Sequence, residues 1–361
     1  MVIDKISFQG FRNLHPLEYE PQKWLNLIYG ENAQGKTNFL EGIYFSATAR
    51  SIRTNTHSQL IAFEEKESHL QVHVTSDHGR KSRIDVHLRH NEKKAVAIDG
   101  LPLKQLGELF GTLYTVMFSP EDLALVKDSP NHRRRFIDME LCQTNKVYYH
   151  NLQQYHKILK QRNNLLKQIQ KKPKLEETIS VWDEQLIQYG ISIIKARTAF
   201  LERLGILCSQ NMKTLTGGKD TLTMEYQPNC TKEQLANKIR DGRKRDILLG
   251  STQYGPHKDD MDFLIAKKKV RLYGSQGQQR STALAVKLAQ IDFIKEETGE
   301  SPVLLLDDVF SELDSNRQQY LMQYIGGLQS FLTCTGVEDW IRAYVDVKDC
   351  LRIENGKIEE Q

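Results

Sequence analysis

The first thirty residues alternate apolar and polar in short runs. Val2, Ile3, Ile6 and Phe8 predict an opening strand, and Trp24-Leu25-Asn26-Leu27-Ile28-Tyr29 predicts a second. The second run ends in a Gly-rich stretch, Gly30-Glu31-Asn32-Ala33-Gln34-Gly35-Lys36-Thr37. From Thr37 to Phe45 the apolar residues then take helical spacing. Residues 68–103 return to a period of two: Leu70, Val72 and Val74, then Ile84, Val86 and Leu88, then Val96 and Ile98. SDHG, HNEKK and IDG lie between these runs and are turn chemistry, so the stretch predicts an antiparallel meander with one wet face.

From about residue 146 the pattern is helical. Leu152, Tyr155, Leu159, Arg162, Leu166 and Ile169 step by three and four; Pro173 interrupts; Leu175, Ile179, Trp182, Leu186, Tyr189, Ile193, Ala196 and Phe200 resume the same steps. Two such helices joined at KKPK predict a helical hairpin with arms of about 40 Å at 1.5 Å per residue. Two ordinary core helices give the same pattern. Beyond residue 250 short strands and helices return, and Val303-Leu304-Leu305-Leu306 has the continuous apolar character of a buried parallel strand. The expected class is α/β, with an antiparallel β subdomain and a short inserted helical arm.

Three stretches carry chemistry. GENAQGKT fits G-x-x-x-x-G-K-[ST], the loop whose backbone N–H groups cradle phosphates. Lys36 would reach the β- and γ-phosphates of ATP, and the Thr37 hydroxyl would bind Mg²⁺. In VLLLDD a buried strand ends in two carboxylates: Asp307 would hold Mg²⁺, and Asp308 would take a proton from the attacking water. A solvated acidic turn is the plainer reading of that stretch alone. The third is Ser275-Gln276-Gly277-Gln278-Gln279-Arg280, expected just before a helix from Ser281 to Ile291. A hydroxyl, a glycine backbone and a helix N-terminus make an anion site; a polar N-cap has the same composition.

The totals narrow the class. The chain has 361 residues, 27% charged and 39% hydrophobic, with a formal net charge of +4. That length predicts more than one lobe, and that balance a globular chain. Five cysteines are scattered without a CxxC pair, as reduced thiols in a cytosolic protein would be. No apolar run approaches the ~20 residues of a membrane span, and MVIDKISFQGFRN lacks the apolar core of a signal peptide. The expectation is a cytoplasmic protein. His57, His132 and His257 stand near polar motifs, without metal-ligand spacing.

In this order, SQGQQR resembles the S-x-G-Q signature of ABC-type ATPases, and Ser311-Glu312-Leu313-Asp314 resembles their D-loop. LLLDDVFSELD, GPHKDD, FSPEDLALVKDSPNHRRRF and ARSIRTN extend the likeness over nearly the whole chain, to the RecF family of bacterial SMC-like ATPases. The resemblance implies an ABC/SMC-like P-loop ATPase head. Residues 1–135 would be its N-terminal lobe with the Gly-rich loop and the meander, 136–245 the helical arm, and 246–361 its C-terminal lobe with signature, VLLLDD and D-loop. It implies ATP bound between two copies, with Ser275 and Gly277 of one capping the γ-phosphate held by Lys36 and Thr37 of the other. It further implies binding to duplex DNA and single-strand/double-strand junctions. The partners implied are RecR and RecO, in loading RecA on SSB-coated strands during replication, repair and the SOS response.

Some positions depart from the wider ABC pattern. Asp308 stands where a Glu is usual, Thr335 where many relatives place a His, and FSPEDL lacks a Gln. These changes predict slow hydrolysis, with ATP binding as the working state. Basic runs at Arg133-Arg134-Arg135, at Arg240, Arg243, Lys244 and Arg245, and at Lys267-Lys268-Lys269 would supply phosphate contacts, as would Arg50, Arg53, Lys81 and Arg83; each is also compatible with an ordinary solvated face. A single-site P-loop kinase would explain GENAQGKT and LLLDD, but neither SQGQQR nor the hairpin. A transporter ATPase subunit keeps its loop and signature much closer together than Gly30 and Ser275.

Overall fold

The computed structural model of the chain describes residues 1–336 and 350–360. These form two compact units, Met1–Asp122 with Gln290–Gln361, and Leu123–Ala289.

The first unit holds two six-stranded sheets. One runs Leu17–Tyr19, Val2–Gln9, Glu67–Thr75, Lys81–Arg89, Ala95–Ile98, Leu101–Pro102, antiparallel throughout. It is the expected meander, extended by the opening strand. Leu70, Val72 and Val74 are buried and alternate with more exposed residues, so one face is core. The other runs Lys357–Glu360, Cys350–Glu354, Leu25–Tyr29, Ser330–Cys334, Val303–Asp307, Thr115–Phe118. Its pairs are parallel apart from the hairpin of the first two strands. Val303–Asp307 and Thr115–Phe118 are buried along their whole length, which is why they read as apolar runs without alternation.

The helix Lys36–Thr48 packs on both sheets. The Phe39 ring lies 5.9 Å from Phe8 of the antiparallel sheet and 6.3 Å from Phe331 of the parallel one. A helix covered on two sides has no wet stripe, and most of its residues are buried. Truncating a core ring of this kind to Ala costs about 3–5 kcal/mol.

In the second unit the helices Lys146–Ile169 and Ile179–Leu215 run antiparallel, as a hairpin. Leu166 packs with Ile179 near the turn, and Tyr148 meets Arg197 at the far end. The second helix passes well beyond Phe200, because Leu204, Leu207, Cys208 and Met212 continue its buried face. Arg162, in the apolar row, is fully buried. Its guanidinium donates to Asp183, Asp246 and Thr252, each at 2.7 Å.

The GPHKDD stretch is wired into the same interior. Arg197 donates to Asp259 at 3.0 Å and to Asp138 at 2.8 Å, and Arg133 to Asp260 at 2.6 Å. His257 meets the Tyr155 hydroxyl at 2.7 Å, and burial lowers its pKa to about 4, so it is neutral near pH 7. This corrects the reading of Arg133 as a surface cation: it is buried and neutralised by Asp260. Arg243 is likewise turned onto Asp183 at 2.6 Å, and Lys269 onto Asp262. Lys244, Arg245, Lys267 and Lys268 are exposed. The unit is completed by a small antiparallel sheet, Lys268–Lys269, Asp260–Ile265 and Leu222–Gln227. Among the described residues no helix is long and apolar enough to cross a membrane.

Candidate nucleotide-binding site

Leu25–Tyr29, Ser330–Cys334 and Val303–Asp307 are parallel neighbours, so the segments that follow them leave the sheet at one edge. That carboxyl edge is where open α/β sheets bind ligands. Gly30 to Gly35 loop from the first strand into the helix Lys36–Thr48. Ala33 (φ 66) and Gly35 (φ 118) take left-handed conformations, which turn successive N–H groups toward a common centre. No side chain caps this helix, so its first N–H groups and positive end are left for an anion.

Lys36 is buried. Its ammonium donates to the carbonyls of Gly30 at 2.6 Å and Glu31 at 2.7 Å. Burial lowers its pKa, opposed by the carboxylates of Asp308 and Asp307. The Thr37 hydroxyl donates to Asp307 Oδ1 at 3.0 Å, and Thr333 donates to the same oxygen at 2.8 Å. Burial holds the Asp307 carboxyl above the usual range, with the two hydroxyls pulling the other way. Asp308 has φ 50, its N–H donates to Thr333 Oγ1 at 3.0 Å, and its carbonyl accepts from Ser311 at 2.7 Å.

This donor set fits Mg²⁺. A hydroxyl and a buried carboxylate face each other, both hard oxygen ligands, and a cation would offset the cost of burying the ionised Asp307. Among the described residues no group of three or more His, Cys, Asp or Glu could hold a metal unaided. Mg²⁺ is commonly held by one or two carboxylates together with phosphate oxygens.

Just inside the helix, Glu41 is fully buried. It accepts from Arg12 at 3.0 Å, from Ser51 at 2.5 Å, and from Arg53. Burial raises its pKa, but the two guanidiniums and the hydroxyl outweigh that and hold it below the usual range. Arg53, counted in the sequence among the basic residues around the meander, is therefore turned onto Glu41 and Asn38 of the phosphate-loop helix.

The signature stretch lies in the second unit and begins its helix earlier than expected. The helix runs Gln276–Thr298, so Gln276 to Arg280 form its first turn. Ser275 Oγ accepts the Gln278 N–H at 3.2 Å, and the Gln278 side chain accepts the Ser275 N–H at 3.0 Å. This is a capping box, so the polar N-cap reading holds. Ser275, Gln276 and Arg280 remain exposed, whereas Gln279 is buried against the Gly274 carbonyl at 3.2 Å. In the D-loop, Asp314 caps the helix Ser315–Ile325 by accepting the Arg317 N–H at 3.0 Å.

The structure thus brings Lys36, Thr37, Asp307 and Asp308 together in one unit. Three residues near them were not singled out by sequence: Thr333, Arg12 and Glu41. The one signal for Thr333 is a hydroxyl in the otherwise apolar Phe331-Leu332-Thr333-Cys334.

Residues 2–343 match the family model described as the RecF/RecN/SMC N terminal domain. The chain is 44% identical over 360 residues to the DNA replication and repair protein RecF of Lachnoclostridium phytofermentans, covering 100% of both chains. It is 42% identical to the protein of the same name from Clostridium botulinum strain Okra, over 99% of this chain and 100% of that one. Among solved structures it is similar to the recombination mediator protein RecF-ATP in the RecFOR pathway, with 37% identity, a TM-score of 0.93, and 100% and 97% of the two chains covered. An Smc head domain from Pyrococcus furiosus shares the fold at a TM-score of 0.57 and 16% identity.

Proposed function

Because this chain belongs to the RecF family of SMC-like, ABC-type ATPases, we propose that it is an ATP-dependent DNA-binding protein of replication and repair. The observation that carries the reading is the pairing of Thr37 with Asp307, 3.0 Å apart, at the mouth of a phosphate loop whose helix has no side-chain cap.

In this reading Gly30 to Thr37 hold the phosphates of ATP, and Lys36 neutralises their charge. Thr37 and Asp307 would hold Mg²⁺, which would withdraw charge from the phosphate oxygens. Asp308 would accept the proton of the attacking water. Its carboxylate is one methylene shorter than the usual Glu, which supports slow hydrolysis. Ser275 to Arg280 of a second copy would complete the site, with Ser311 and Asp314 at the same seam. The closed dimer would hold duplex or gapped DNA through phosphate contacts, and hydrolysis would release it. With RecO and RecR it would promote RecA loading on SSB-coated single strands, in the cytoplasm.

Light scattering with and without ATP and Mg²⁺ tests the core of this. ATP is expected to double the mass, and Ser275→Arg to bind ATP without doubling. A chain that binds ATP and stays monomeric, or a variant that dimerises like the parent, would overturn the two-copy site.

A further inference from the structure

The C-terminal hairpin ends on the Gly-rich loop. Cys350–Glu354 is parallel to Leu25–Tyr29, so both strands deliver their following residues to the same edge of the sheet. The turn Asn355-Gly356 then meets Gln34, the fifth residue of GENAQGKT. The Gly356 N–H donates to the Gln34 carbonyl at 2.9 Å, and the Asn355 N–H donates to the Gln34 side-chain carbonyl. The Gly356 carbonyl accepts the His15 N–H at 2.9 Å. The packing leaves no room: a Cβ at Gly356 (φ 78) would stand 1.9 Å from the Asn13 carbonyl oxygen, and one at Gly30 would stand 2.3 Å from the Ile353 carbonyl oxygen.

One consequence follows from peptide geometry. The Gln34 carbonyl and the Gly35 N–H share one planar trans peptide, so they point to opposite sides. Tying the carbonyl outward onto the hairpin turns the Gly35 N–H away from the hairpin. We infer that the Asn355-Gly356 turn is a positioning element for ATP: it fixes the Gln34–Gly35 peptide so that the loop presents its N–H groups before the nucleotide arrives. The inference rests on the reading of Gly30 to Thr37 as an ATP loop. A preset loop avoids the ordering cost of binding, and the contact works in both directions, because ATP that favours the fixed loop must tighten the turn.

Two measurements test it. In the unmodified protein, hydrogen exchange at Gly356 should slow when ATP and Mg²⁺ are added, although this turn lies outside the Gly-rich loop. Gly356→Ala should weaken binding of a fluorescent ATP analogue by about tenfold, the scale of one or two hydrogen bonds. Gly79→Ala is the control. Gly79 has nearly the same conformation (φ 81) with nothing within 4 Å of its Cβ position, so it carries the same backbone strain without touching the loop. Its ATP affinity should stay within about twofold of the parent. If the parent binds ATP while exchange at Gly356 is unchanged, or if the two variants bind alike, the positioning role is wrong and the ATP loop stands. If the parent does not bind ATP, both are wrong.

Discussion

The Thr333 hydroxyl donates to Asp307 Oδ1 at 2.8 Å and accepts the Asp308 N–H at 3.0 Å, so one side chain on a neighbouring strand orients both residues of the acidic pair. Thr333→Val keeps the shape and removes both bonds. Asp307 would lose a partner that favours its ionised form, and Asp308 would be released at a left-handed position. The expected result is a turnover about tenfold lower, with more Mg²⁺ needed for half-maximal rate, from hydrogen bonds of about 1–2 kcal/mol. Magnesium titration of ATPase activity at fixed ATP checks it; an unchanged curve would confine Thr333 to holding the strands together.

Asp307 also predicts a pH dependence. Burial raises its folded pKa above the unfolded value. An acid shifted in that direction adds stability below its unfolded pKa, and that contribution is lost as pH rises through the folded value. Asp307→Asn should therefore raise the melting temperature of the nucleotide-free protein at neutral pH. The gain should shrink as pH falls toward about 4. The same variant should lose hydrolysis. Thermal melts from acid to neutral pH would show the narrowing gap; a gap constant with pH would assign the effect to packing.

In the arm, Arg162 balances Asp246 in the interior, while Asp183 also has Arg243. Arg162→Met leaves Asp246 buried without its counter-charge and is expected to cost about 3–5 kcal/mol. Adding Asp246→Asn should recover part of that loss. Urea unfolding followed by the half-buried Trp182 would measure both steps, and a double variant no better than the single one would refute the charge argument.

For DNA, the exposed Lys244 and Arg245 are better placed than the buried Arg133. Replacing both with Glu should weaken duplex binding. The slope of log affinity against log salt should also flatten by about 0.9 for each phosphate that is no longer neutralised. Arg133→Lys should leave that slope alone and lower stability instead. Fluorescence anisotropy at several salt concentrations distinguishes these; an unchanged slope in the double variant would clear this cluster of any phosphate-binding role.

Much of the site was legible because its signals are local. The Gly-rich loop, its strand and its helix are contiguous, and Val303 to Asp308 announces itself by an apolar run ending in acid. What escaped depends on distant pairing. Thr333 reaches Asp307 only because Ser330–Cys334 lies beside Val303–Asp307. The run Arg133-Arg134-Arg135 looked uniform, yet its first member is matched by Asp260, far along the chain. The meander's turns were visible, whereas the pairing of Val2–Gln9 with Glu67–Thr75 had no local sign. The start of the signature helix was displaced because Ser275 and Gln278 form a capping box, a pattern present in the sequence and read there only as composition.

The order of strands in the parallel sheet has a consequence for the protein's birth. Leu25–Tyr29, which leads into the phosphate loop, is flanked on both sides by strands made much later, Ser330–Cys334 and Cys350–Glu354. A chain emerging from the ribosome exposes the loop early but lacks Asp307, Thr333 and the Asn355-Gly356 turn until those later residues have also been made. A chain not yet extended past Gly356 therefore lacks the assembled site, and in the two-copy reading proposed above it would have no ATP-dependent means of pairing with a neighbour on the same messenger.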